Sequence, residues 1–70
     1  MKDVAITTEY ITLGQFLKFA NIVSSGGEVK HFLDNSTVYL NKNLENRRGK
    51  KLYPGDILSI DQQSFRISKK

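Results

Sequence analysis

The sequence predicts an α+β fold: a two-helix hairpin packed on a small, mostly antiparallel β-sheet. Three observations carry this. The hydrophobic period is helical between residues 13 and 33 and close to two on either side. Two capping-box signatures, Thr12-Leu13-Gly14-Gln15 and Ser25-Gly26-Gly27-Glu28, mark two helix starts. Turn residues punctuate the rest, at Asn41-Lys42-Asn43, Tyr53-Pro54-Gly55-Asp56 and Asp61-Gln62-Gln63.

Residues 4–11, VAITTEYI, are rich in β-branched side chains and read as a strand. Leu13, Phe16, Leu17 and Ala20 then fall at i, i+3, i+4 and i+7, one face of a helix running to about Asn21. Ser24-Ser25-Gly26-Gly27 interrupts that pattern. The following EVKHFLDN carries a second apolar stripe, Val29, Phe32 and Leu33. Thr37–Leu40 reads as a strand with Val38 and Leu40 on one face. Ile57–Ile60 and Ser64–Ile67 complete the sheet, with Leu58, Ile60, Phe65 and Ile67 inward. Pro54 and Gly55 suit the two central positions of a type II turn. The expected order is β-α-α-β-β-β in a single domain over residues 1–70. Its core is expected from Phe16, Leu17, Phe32, Leu33, Val38, Leu40 and Ile60.

Composition excludes several classes of function. There is no cysteine, so neither a disulfide framework nor a thiolate metal site is possible, and one histidine rules out a multi-histidine site. No nucleophile–base–orienter set is visible and no carboxylate pair sits in a catalytic motif, so no enzyme activity, cofactor or small-molecule substrate is expected. His31 reads as a solvent-edge residue beside the second apolar stripe. No apolar run is long enough to span a bilayer, and MKDVAITTEY lacks the apolar stretch of a signal peptide; the expectation is cytoplasmic, without membrane contact.

Charge is the positive clue. Eleven Lys and Arg against seven Asp and Glu give a net charge of +4. Residues 42–51, KNLENRRGKK, hold Lys42, Arg47, Arg48, Lys50 and Lys51 against Glu45 alone, which accounts for the whole excess. Guanidinium forks bind phosphate oxygens bidentately and lysines add flexible point charge. Gly49 suits a bend that turns these side chains to one surface, on a loop free to follow a nucleic-acid backbone. A solvated loop that maintains solubility would have the same composition.

Gly26 and Gly27 open the second helix, where unpaired N–H groups and the dipole suit a phosphate. They equally suit a sharp helix–helix turn, a reading that the charge of Glu28 favours. Lys30 lies one turn further on and could reach a phosphate at that end, though a lone exposed lysine is more often only solvated. Tyr39 occupies the strand face opposite Val38 and Leu40; packing against the helices or the Lys42 stem is the expectation, with base stacking the alternative.

The order and spacing of these features resemble a known family. Leu13 and Leu17 in the first helix, Ser25 leading EVKHFL, Val38-Tyr39-Leu40-Asn41, the RRGKK loop and Gly55-Asp56-Ile57-Leu58 are similar to the S4 RNA-binding domain, or alpha-L RNA-binding motif. The whole chain is similar to the small stand-alone bacterial S4-domain proteins of the YaaA type, in its leading strand, ITLGQFLK, SGGEVK and ENRRGKKLYPGD. The resemblance implies RNA binding, to structured, ribosomal or ribosome-associated RNA, by the second helix and the following loop. By position it implies contacts from Ser25, Gly27, Lys30, Asn41, Arg47, Arg48, Lys50 and Lys51. Where family members have Asn-Gly this chain has Asn41-Lys42, which adds Lys42 to the set; where many have Arg after the serine it has Gly26. The alternative is a protein-interaction module whose basic face docks an acidic partner.

Overall fold

The computed structural model describes all residues, Met1–Lys70. Two helices pack on a five-stranded mixed sheet, and a two-stranded ribbon closes one side. The strands are β1 (Lys2–Ile6), β2 (Ile11–Thr12), β3 (Val38–Leu40), β4 (Asn43–Leu44), β5 (Lys51–Leu52), β6 (Ile57–Ile60) and β7 (Gln63–Lys69); the helices are α1 (Leu13–Phe19) and α2 (Gly26–Asn35). The large sheet runs β1-β7-β6-β3-β4, and the ribbon pairs β2 with β5. Only β1 and β7 are parallel, with Lys2 opposite Phe65 and Ile6 opposite Lys69; the other pairs in the sheet are antiparallel.

Local chemistry explains the boundaries. Thr12 caps α1 as a full capping box: its hydroxyl accepts from the Gln15 N–H at 3.2 Å, and the Gln15 side chain accepts from the Thr12 N–H at 3.0 Å. Asn21, at φ 60°, ends α1 in the left-handed conformation that asparagine tolerates, and the N–H groups of Ile22 and Val23 fold back onto the Leu17 carbonyl. Tyr53–Asp56 forms the expected turn, with Gly55 at φ 99° and the Asp56 N–H bonded to the Tyr53 carbonyl at 2.9 Å.

One hydrophobic core lies between the helices and the sheet. Phe16, Leu13, Leu17, Leu52, Leu58, Ile67, Val29 and Val38 are its largest fully buried side chains. The Phe16 ring meets Phe65 edge-on, with centroids 5.4 Å apart. Of the expected core, Phe16, Leu17, Leu33, Val38, Leu40 and Ile60 are buried; Phe32 is half-buried and packs on the margin.

Several expectations need correction. The leading strand is not continuous over 4–11: it stops at Ile6, bends, and resumes as β2, because Ile11 pairs with Leu52 rather than with the sheet. Helix α1 stops at Phe19, two residues early. The glycines lie within the first turn of α2, neither with positive φ, so they do not form the connecting turn. Ser25 is the N-cap residue, but its hydroxyl makes no cap bond. Glu28 instead reaches back to Ser24, so the second capping box is not formed as expected. Tyr39 is 42% exposed on the outer sheet face and does not pack against the helices.

Candidate nucleic-acid interface

The basic segment is pinned down, not free. Residues 47–50 form a turn closed by the Lys50 N–H to the Arg47 carbonyl at 3.1 Å. Its carbonyls face the start of α1. The Lys50 carbonyl accepts from the Leu13 N–H at 2.8 Å and the Arg48 carbonyl from the Gly14 N–H at 2.9 Å. These two N–H groups have no partner within their own helix, so the loop satisfies donors that would otherwise be lost. A Cβ at Gly14 would lie 3.4 Å from the Arg48 carbonyl oxygen and 3.4 Å from Val29 Cγ1. α1, α2 and the basic loop thus converge at Gly14, with space for little beyond a Cβ.

The cations of this segment differ in circumstance. Arg47 makes a bidentate pair with Glu45: its Nε lies 2.9 Å from Oε2 and its Nη2 3.2 Å from Oε1, and the Arg47 N–H adds a third bond at 3.1 Å. This arrangement holds the Glu45 carboxyl below its ordinary pKa, chiefly through the Arg47 side-chain hydrogen bond, and raises that of Arg47. Arg48, Lys50 and Lys51 form no salt bridge, although the charge of Lys50 adds to the lowering of the Glu45 pKa. Lys51 Nζ sits 4.9 Å above the Tyr10 ring, a cation–π contact that leaves its charge uncompensated. Arg47, Gly49, Lys50, Lys51 and Tyr53 line one open groove.

Asn41 and Lys42 form the two-residue connection between β3 and β4, at φ 51° and 73°. Positive φ at both positions matches the twist of the hairpin. The Asn41 side chain is committed to the fold. Its Oδ1 accepts from the Ile57 N–H at 2.9 Å, and its Nδ2 donates to Asp56 Oδ1 at 3.1 Å. Asp56 Oδ2 in turn accepts from the Tyr53 N–H at 2.8 Å. The hairpin tip, the Tyr53–Asp56 turn and the start of β6 are thus one hydrogen-bonded unit. Lys42 projects from its tip, exposed and without an ion pair.

At α2 the Glu28 carboxylate occupies the helix N-terminus. It accepts from the Ser24 N–H at 3.2 Å, from the Ser24 hydroxyl and from the Ser25 hydroxyl at 3.4 Å. The Ser24 hydroxyl, and after it the Ser24 N–H, hold its pKa below the ordinary value. Ser25 and Gly27 therefore sit beside a negative charge. Lys30 is exposed and pairs with Asp34 across one turn at 3.3 Å, an arrangement worth ~0–1 kcal/mol that leaves it available. Lys18, which the sequence did not single out, comes close: its Nζ would lie 4.0 Å from a Cβ at Gly26.

No group of three His, Asp or Glu side chains is placed to hold a metal ion, and no helix is long and apolar enough to cross a membrane.

A family model described as the S4 domain matches residues 4–68, from β1 into β7, including both helices and the basic loop. A protein of Bacillus subtilis (strain 168) named "Probable ribosome maturation protein RlbA" is 52% identical over 58 residues, which is 83% of this chain and 82% of that protein. Spanning both helices, the pinned loop and the strands that carry them, the match shows that this chain belongs to the S4 domain family.

Proposed function

We propose that the chain binds structured RNA, ribosomal or ribosome-associated, through a positive surface formed by the 42–51 segment together with α2. The observation that carries this reading is the pinning of the loop at Gly14. Two backbone hydrogen bonds fix the path of residues 48–50 against α1, at the point where Val29 of α2 also arrives. Arg48, Lys50 and Lys51 are thereby presented free of salt bridges and at little further entropic cost on binding. A surface of this kind recognises a phosphate backbone by shape more than by base sequence. Membership of the S4 domain family and the ribosome-maturation name of the 52% identical relative support RNA over an acidic protein as the partner.

Within this reading the residues divide. Arg48, Lys50, Lys51 and Lys42 meet phosphates. Arg47 contributes once its pair with Glu45 opens or is shared. Lys30 extends the surface along α2, and Ser25 and Gly27 contact RNA where Glu28 yields the helix N-terminus. Asn41 acts by holding the Lys42 turn in place.

Titration of a ribosomal-RNA helix at several salt concentrations tests the proposal. Binding weakens as salt rises, because each neutralised phosphate releases counterions. Arg48→Ala and Lys50→Ala each lower the magnitude of the log–log slope by about one, with unchanged melting. An unchanged slope in the double variant would remove the loop from the interface. Binding from lysate that survives nuclease would favour an acidic protein partner.

A further inference from the structure

The ribbon of β2 and β5 has an outer face that carries Lys51 and two tyrosines, Tyr10 and Tyr53, which the proposed phosphate contacts do not use. Ile11 lies opposite Leu52 and Thr12 opposite Lys51, so one further step places Tyr10 opposite Tyr53. Leu52 is fully buried, and alternation along β5 sends Lys51 and Tyr53 the other way. The Tyr10 and Tyr53 rings stand 5.8 Å apart at 47°, with Lys51 Nζ over Tyr10. They remain 38% and 43% exposed. The Asp56 carboxylate accepts from the Tyr53 N–H and so fixes its backbone. Tyr53 is also the one aromatic residue in the groove lined by Arg47, Gly49, Lys50 and Lys51.

An aromatic surface among cations selects a ligand that is both flat and anionic. A cationic or neutral apolar ligand would meet the repulsion or the desolvation cost of the Lys50, Lys51 and Arg47 charges. A nucleotide within an RNA chain satisfies both demands, since its base stacks and its flanking phosphates pair with the lysines. We propose that this groove is a nucleobase site: the RNA carries an unpaired nucleotide whose base stacks on Tyr53, braced by Tyr10, while its phosphates lie against Lys50 and Lys51. A paired base cannot enter, because both of its faces are covered within the helix. This inference rests on the RNA-binding reading above and adds to it the class of RNA: a helix interrupted by a bulge or ending in a single strand.

The test uses the full chain with two probes, an RNA duplex of about sixteen base pairs and the same duplex carrying one bulged adenosine. Wild type binds the bulged RNA more tightly, by about 5- to 150-fold, the range expected for one stacked base. Tyr53→Leu removes that preference and leaves duplex binding and the melting midpoint near wild type, whereas Tyr53→Phe keeps it. AMP at millimolar concentration does not compete with the bulged RNA; competition by AMP would identify a free-nucleotide site and overturn the RNA assignment of the groove. Equal binding of both RNAs by wild type, or a preference that survives Tyr53→Leu, would overturn the nucleobase site while leaving the phosphate surface intact. If neither RNA binds at low salt, the RNA-binding reading fails and takes this one with it.

Discussion

The N–H of Gly14 donates to the carbonyl of Arg48 at 2.9 Å, and no side chain at position 14 separates them. This contact ties the basic loop to the start of α1, and Val29 of α2 closes the other side. A Cβ at position 14 would already stand in van der Waals contact, 3.4 Å from both neighbours, so the two further methyl groups of a valine crowd them. Gly14→Val should destabilise the fold by about 1–3 kcal/mol through overpacking and displace Arg48. Urea unfolding and RNA titration together check it. A wild-type midpoint with wild-type affinity would show that the loop does not depend on this contact.

Leu17 is fully buried between α1 and the sheet. Leu17→Ala should cost about 2–5 kcal/mol, lost transfer energy plus a cavity. In so small a domain that is a large share of the total stability. Chemical denaturation measures it, and an unchanged midpoint would show that the inward face of α1 is wrongly placed.

The Glu45–Arg47 pair makes stability pH-dependent. The folded Glu45 carboxyl has a pKa below its ordinary value of 4.5, mainly through the Arg47 hydrogen bond. A lowered folded pKa means that the contribution is complete above the unfolded value and is lost as pH falls through the folded one. The melting midpoints of wild type and Glu45→Gln should therefore differ by a constant amount above about pH 5 and converge at lower pH. Glu45→Gln also frees Arg47, so RNA affinity at neutral pH should rise. A fall in affinity would show that the carboxylate holds the guanidinium in its binding position.

Lys42 stands at φ 73°, a conformation costly for a residue with a Cβ. Lys42→Gly relieves it, and glycine's greater freedom in the unfolded chain offsets part of the gain. Stability should rise by up to about 1 kcal/mol while the RNA salt slope falls by about one. Thermal melting and salt titration read the two effects separately. A slope equal to wild type would remove Lys42 from the interface.

The Asn41 network makes a further distinction measurable. Asn41→Ala removes bonds to the Ile57 N–H and to Asp56, and through Asp56 loosens Tyr53. The expected loss is about 1–2 kcal/mol. The accompanying loss of RNA affinity should be larger for the bulged duplex than for the plain one. Equal losses would indicate that the network serves stability alone.

The sequence by itself determined what is local. Helix α1 and its capping box, the Gly55 turn and the inward faces of β3, β6 and β7 follow from side-chain period and turn chemistry, which act over a few residues. The cluster of charge in 42–51 was legible for the same reason. Tertiary structure decided what depends on distant partners. Strand β5 is only two residues long, too short to show a period, so the burial of Leu52 at the end of a basic stretch left no trace in composition. Tyr10 and Tyr53 meet because β2 and β5 pair across most of the chain. The loop looked mobile because its residues are polar, yet it is fixed through its carbonyls, which every residue carries and no sequence pattern reports. Glu28 likewise chose Ser24 over the expected box, a choice made by the path of the chain entering α2 and not by the residue types there.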